Sequence, residues 1–311
     1  MRLIDLHEDM AYSSQRVDVV NSSEQSSVEL LRSLGDVTVF SVLFPHVNTM
    51  NEVSDFLTKQ YRTFSTATFP SREVLIEQIK FYLYLERKHN VRIVRKYSDI
   101  LSGGVTLLLA IEGTDSLTDP MDLYFLKELN VRSIGLTWNY DTKFAASCMS
   151  KRDFGLTGSG ESAVEICNEL RLVVDLAHAS RKTVLDTCKI SRKPVIVSHA
   201  NTSKVHNHVR NLDDEELEAV CKTGGTVGLT AINPTLSDSP SIDDIARNAE
   251  YIGSNFGWEH VSIGTDFLGI SSTPKGFENV SKVRELSELL GPHADDVLWK
   301  NALNVLKKIM A

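Results

Sequence analysis

Short runs of β-branched and other apolar residues recur along the chain at residues 3–6, 37–44, 105–111, 131–136, 172–176, 194–197, 226–232 and 261–263. Their near-continuous apolar character predicts strands buried on both faces, as in a parallel sheet covered by helices. Between them, apolar residues return at helical spacing over residues 26–33, 71–89, 122–129, 161–170, 181–188, 213–221, 242–254, 279–290 and 295–309. Strand and helix alternate with no linker rich in Pro, Gly or Ser. The pattern predicts an α/β fold, a TIM-type (β/α)8 barrel, as one domain over residues 1–311, in preference to a doubly wound open sheet. An elaborated connection is expected at about 47–104, containing an aromatic-rich helix and a further short β-like run at 91–94, and C-terminal helices at about 279–309. The glycine-rich stretch 155–160 reads as a turn feeding a helix near Glu161, with Ser159 as its cap.

A barrel enzyme builds its site from the C-terminal ends of its strands, so the polar residues just past each apolar run carry the functional signal. The first run ends in His7 and Asp9, the third in Glu112, the fourth in Trp138 and Asn139, the fifth in His178, the sixth in His199 and the eighth in Asp266. Alternation along an extended strand puts His7 and Asp9 on one side. Alone, such a pair reads more readily as a surface histidine beside a helix-capping aspartate. Together with Glu112, His178 and His199, each just beyond a buried strand, it reads as a ligand set, because polar groups are expensive to bury without a function or a partner. Imidazoles and carboxylates without nearby thiolates suit zinc, and a bridging carboxylate suits a pair of ions about 3.5–4 Å apart. Asp266 is the expected general base and acid. Glu8, facing the other way, is not counted as a ligand, nor is His46 after the second run.

Composition narrows the partners. Lys and Arg total 33 against 41 Asp and Glu, a formal charge of −8, which argues against nucleic acid or an anionic membrane and for a small molecule. No apolar stretch is long enough to span a membrane, and the amino terminus enters a strand pattern without the profile of a signal peptide. Cys148, Cys167, Cys188 and Cys221 are scattered, as reduced thiols would be, and a cytoplasmic location is expected. Phosphate-cradling glycine motifs and a G-x-S-x-G elbow are absent from the sequence.

The chain resembles the membrane (renal) dipeptidase family of zinc peptidases in Asp5-Leu6-His7-Glu8-Asp9, Ala110-Ile111-Glu112-Gly113, Leu136-Thr137-Trp138-Asn139, Gly155-Leu156-Thr157, Val174-Asp175-Leu176-Ala177-His178-Ala179-Ser180, Pro194-Val195-Ile196-Val197-Ser198-His199, Val209-Arg210-Asn211 and Ile263-Gly264-Thr265-Asp266-Phe267. The resemblance implies a dinuclear zinc site in which His7 and Asp9 hold one ion, His178 and His199 the other, and Glu112 bridges. It also implies that Arg210 binds the substrate's terminal carboxylate, which suits its bidentate fork. Two positions depart from the family pattern. Trp138 stands where many members have a substrate-binding histidine, leaving its indole either to donate a hydrogen bond or to wall the pocket. Leu268 stands where the family has a second carboxylate, with an expected change in the charge of the mouth. His206 and His208 precede Arg210 and read as solvated surface.

The expected activity is hydrolysis of a dipeptide with a free C-terminal carboxylate. The alternatives are a related metal-dependent barrel hydrolase acting on N-acyl amino acids, lactones or phosphoesters, and a non-catalytic binding subunit. A homodimer is expected by analogy with barrel enzymes of this kind.

Overall fold

The computed structural model describes residues 1–45 and 71–311. Nine parallel strands form its sheet: β1 (Arg2–Glu8), β2 (Asp36–Leu43), β3 (Arg92–Ile93), β4 (Val105–Glu112), β5 (Val131–Gly135), β6 (Val173–Asp175), β7 (Ile196–Val197), β8 (Thr226–Leu229) and β9 (Val261–Ile263). Hydrogen bonding runs β2-β1-β9-β8-β7-β6-β5-β4, and β2 pairs directly with β4 from Val37↔Val105 to Leu43↔Ile111, which closes eight strands into a barrel. These eight are the apolar runs expected from the sequence. The short run at 91–94 becomes β3, which pairs with the start of β4 ahead of β5.

Helices cover the strands where the spacing placed them, including Ser71–Lys88, Asp122–Glu128, Arg181–Ile190, Asp214–Lys222 and Ile242–Phe256. One helix begins earlier than expected. Gly158–Leu170 starts three residues before Glu161, and the hydroxyl of Thr157, not Ser159, accepts from Gly160 N at 3.1 Å. A side chain at position 160 would meet the Phe144 carbonyl at 2.0 Å, so tertiary packing overrides the low helix propensity of glycine there. Of the connection expected at 47–104, residues 46–70, His46 among them, lie outside the described residues.

Two apolar layers result. One lies between strands and helices. The other fills the barrel, where Ile4, Leu6, Phe40, Leu108 and Ile196 meet Trp299, Ala302, Val305, Leu306 and Ile309 from the C-terminal segment. Arg2 stacks over Trp299, and Asn301 donates to Val261 O at 2.8 Å, so this segment seals the end of the barrel where the strands begin. At the opposite end the described residues line a cavity. Among the described residues no cysteines are paired, and no helix is long and apolar enough to cross a membrane.

Candidate active site

β1 carries a bulge. Asp5 pairs with Val39 and Glu8 with Ser41, so three residues advance on β1 for two on β2, and the extra residue re-aims the strand end. There His7 Nε2 lies 3.4 Å from Asp9 Oδ2, 3.7 Å from Glu112 Oε1 and 3.6 Å from Asp266 Oδ1. From the strand ends nearby, His178 Nε2 and His199 Nε2 approach the same Glu112 oxygen at 3.0 and 3.5 Å. Thus His7, Asp9, Glu112, His178, His199 and Asp266 are brought to one point. Two groups of them, His7/Glu112/His199 and His7/Asp9/Asp266, have ligand atoms within 4.8 Å of one another, close enough to hold a cation. Glu8 is buried apart from these groups, beside Asp5 and Ser26, and burial followed by the charge of Asp5 pushes its carboxyl well above the ordinary range.

The electrostatics are those of crowded acids around imidazoles. Burial opposes a charge on His7, but Glu112, Asp9 and Asp266 outweigh it and raise its pKa to about 10. Burial and the neighbouring Asp9 lift Glu112 to about 8, against the pull of His7. Burial, then Asp9 and Glu112, push Asp266 well above the usual carboxylate range. His199 is driven the other way by burial and by His7, and stays a neutral imidazole.

Backbone geometry is specialised at the same place. His178 and Asp266 hold φ of 62° and 63°, a left-handed conformation that a non-glycine residue keeps only where its surroundings fix it. Asp5 provides some of that fixing. It accepts from His7 N at 3.1 Å, Thr265 N at 2.9 Å and Thr265 Oγ1 at 2.7 Å. Asp175 repeats the device on β6, accepting from Ala177 N at 3.0 Å and Ser198 N at 2.8 Å. Ser198 Oγ lies 2.9 Å from His199 Nδ1, and a Cβ at Gly264 would sit 1.7 Å from the Ser198 carbonyl, so the backbone here approaches as closely as glycine permits. Asp5, Asp175, Ser198 and Thr265 are absent from the sequence-based site. The available signal was an acid two or three residues before a histidine, inside an otherwise apolar strand.

A cavity of about 460 Å3 opens over the cluster, lined by Asp9, Glu112, His178 and Asp266 together with Trp138, Asn139 and Arg210. Arg210 Nη2 donates to His199 O at 3.2 Å. Asn139 Oδ1 lies 2.8 Å from His178 Nδ1. His206 and His208 do not line this cavity; His208 Nδ1 accepts from Arg210 N at 3.2 Å.

A profile of the family described as "Membrane dipeptidase (Peptidase family M19)" matches residues 1–311. The chain belongs to this membrane dipeptidase family. It is 34% identical over 254 residues to dipeptidase verJ of Clonostachys rogersoniana, and 32% identical over 273 residues to an uncharacterised dipeptidase of Schizosaccharomyces pombe. Those alignments cover 78% and 80% of this chain, and the chain spans 66% and 65% of the length of these relatives. The fold matches a metallopeptidase structure from Rhodobacter sphaeroides, liganded with a phosphinate mimic of the dipeptide L-Ala-D-Ala, at a TM-score of 0.84 and 20% identity over 99% of each chain. Leu268, two residues past Asp266, holds a left-handed φ of 70°. It is buried in the core, its N–H bonded to Gln25 Oε1 at 2.7 Å, and it is not among the residues that line the cavity.

Proposed function

We propose that this chain is a metal-dependent dipeptidase that uses two zinc ions to hydrolyse dipeptides with a free C-terminal carboxylate. The observation that carries the reading is the convergence of His7, Asp9, Glu112, His178 and His199 on one point beneath a cavity that also presents Asp266 and Arg210. These residues fit a cation. His7 Nε2 is buried without a hydrogen-bond partner among the described residues, surrounded by three carboxylates whose mutual repulsion a divalent ion would relieve. In the proposed assignment His7 and Asp9 would hold one ion and His178 and His199 the other, with Glu112 available to both. Bound there, the ions would acidify a water to a pKa of about 7 and polarise the scissile carbonyl.

The chain's own groups do the rest. Arg210 binds the terminal carboxylate, held against the cavity wall by its bond to His199 O. Asp266 takes a proton from the attacking water and passes it to the departing amine nitrogen. The Asn139 carbonyl accepts from His178 Nδ1–H, which fixes the tautomer that leaves the Nε2 lone pair toward the cluster. The relatives named as dipeptidases and the dipeptide mimic held by the Rhodobacter protein support the substrate class.

Elemental analysis followed by dipeptide hydrolysis with and without chelator tests the proposal. Two equivalents of metal and chelator-sensitive release of free amino acids are expected. A zinc-loaded protein that cleaves no dipeptide overturns the activity, and a protein that takes up no metal overturns the site.

A further inference from the structure

An aromatic wall runs along one side of the cavity. Tyr12 follows β1, Phe44 follows β2 and Trp138 follows β5, so these residues are far apart in sequence. Barrel closure brings them into sequential edge contact, Tyr12 to Phe44 at 5.4 Å between ring centroids, Phe44 to Trp138 at 5.1 Å and Trp138 to Tyr140 at 5.3 Å. Interplanar angles of 76°, 80° and 63° are the edge-to-face geometry that locks rings in place. Ile232, Pro234 and Ile270 add apolar surface from the loops after β8 and β9.

Strand order sets the wall's position relative to Arg210. In the closed ring β2-β1-β9-β8-β7-β6-β5-β4, strand β7 is four strands from β2 in either direction, so Arg210 and Phe44, which both line the cavity, follow opposite strands of the ring. A dipeptide whose carboxylate rests on Arg210 and whose amide lies over the His and carboxylate cluster extends its N-terminal residue toward Tyr12, Phe44 and Trp138. The cavity, about 460 Å3, lies within the range of roughly 300–1,000 Å3 typical of small-molecule sites.

We propose that Tyr12, Phe44 and Trp138 form the subsite for the substrate's N-terminal side chain and select a large aromatic one. This rests on the dipeptidase reading and on the place given to Arg210. Trp138 is in this account an apolar selector that gives edge and face contacts to an incoming ring.

The test compares kcat/KM for Phe-Gly and Ala-Gly in the zinc-loaded protein and in Phe44→Ala, Trp138→Ala and Tyr12→Ala, with circular dichroism to confirm folding. A preference for Phe-Gly of at least about tenfold is expected in the parent protein, since fit in an apolar pocket is worth that much per methylene or more. It should collapse toward unity in the folded variants, mainly through KM. Equal rates for the two substrates in the parent protein, or a preference retained in every folded variant, overturn the proposal. Failure of the dipeptidase reading is separable, because calorimetric binding of two phosphinate dipeptide mimics, benzyl or methyl at the N-terminal side chain, reads the wall without turnover. Tighter binding of the benzyl compound supports the wall even if no dipeptide is cleaved. Equal affinity, or no binding of either, counts against it.

Discussion

His178 and His199 turn their Nε2 atoms toward each other at 3.0 Å, and Glu112 Oε1 lies 3.0 and 3.5 Å from them. With Nδ1 of His178 facing Asn139 Oδ1 and that of His199 facing Ser198 Oγ, both rings turn an Nε2 into one small volume. Such an arrangement holds with either a proton or a cation between the two nitrogens, and a cation would engage the Glu112 oxygen as well. Removal of metal by chelator is therefore expected to abolish hydrolysis and lower the melting temperature together, and zinc should restore both. Differential scanning calorimetry alongside an activity assay checks this; a melting temperature indifferent to chelator would dissociate the cluster from metal binding.

Asp266→Asn keeps the shape of the side chain but removes its capacity to take a proton. The expected result is a fall in kcat of roughly a hundredfold to ten-thousandfold with metal content near that of the parent protein. Because Asp266 Oδ1 stands only 3.6 Å from His7 Nε2, the metal measurement is decisive. Loss of an ion along with the rate would reassign Asp266 from proton carrier to ligand.

Arg210→Ala should raise KM for dipeptides with a free carboxylate by about tenfold to a hundredfold, the value of a charge-assisted hydrogen bond, and leave substrates with an amidated C-terminus little changed. Steady-state kinetics on paired free and amidated substrates reads the difference. An equal effect on both members of each pair removes Arg210 from carboxylate binding.

Glu216 gives a pH dependence of stability that belongs to the scaffold. Burial raises its pKa from 4.5 to about 7, assisted by the charge of Asp213 and opposed by the hydrogen bond from Asp213 N. The folded protein therefore holds this proton more tightly than the unfolded chain does. Its favourable contribution is complete below about pH 4.5, shrinks as pH rises toward 7 and is absent above, a change of roughly 3 kcal/mol at most. Glu216→Gln keeps a carbonyl oxygen for Asp213 N and should melt higher than the parent protein at pH 8 but not at pH 5. Parallel melting curves with pH would show that the carboxyl ionises in the folded state without cost.

The barrel could be read from the sequence because each strand is buried on both faces and so appears as an unbroken apolar run. Polar residues ending those runs identified His7, Asp9, Glu112, His178, His199 and Asp266 as neighbours, which the structure brings together. Asp5 and Asp175 were not identified, since an acid inside a strand reveals nothing of its partners until β1 meets Thr265 and β6 meets Ser198. The aromatic wall was invisible for a related reason. Phe44 meets Tyr12 once β1 pairs with β2, but Trp138 joins them only when β2 pairs with β4 across some sixty residues of chain. The early start of the helix at Gly158 escaped because Gly160 is required by contact with Phe144, not by local preference.

The seam between β1 and β9 has a kinetic consequence. Few backbone bonds cross it, among them Asp266 N to His7 O at 3.0 Å and Asp9 N to Phe267 O at 2.9 Å, and Asp5 supplements them through Thr265, 260 positions away. His7 and Asp9 stand on one side of this join and Asp266 on the other, so a cation shared among them can be captured only after residues from opposite ends of the described chain have met. Pairings of such sequence separation form late in folding, because the loop must close before any contact rewards it. An ion bound there would act as a clasp fastened late: its removal is expected to speed unfolding and leave the folding rate unchanged, which stopped-flow kinetics with and without chelator would check.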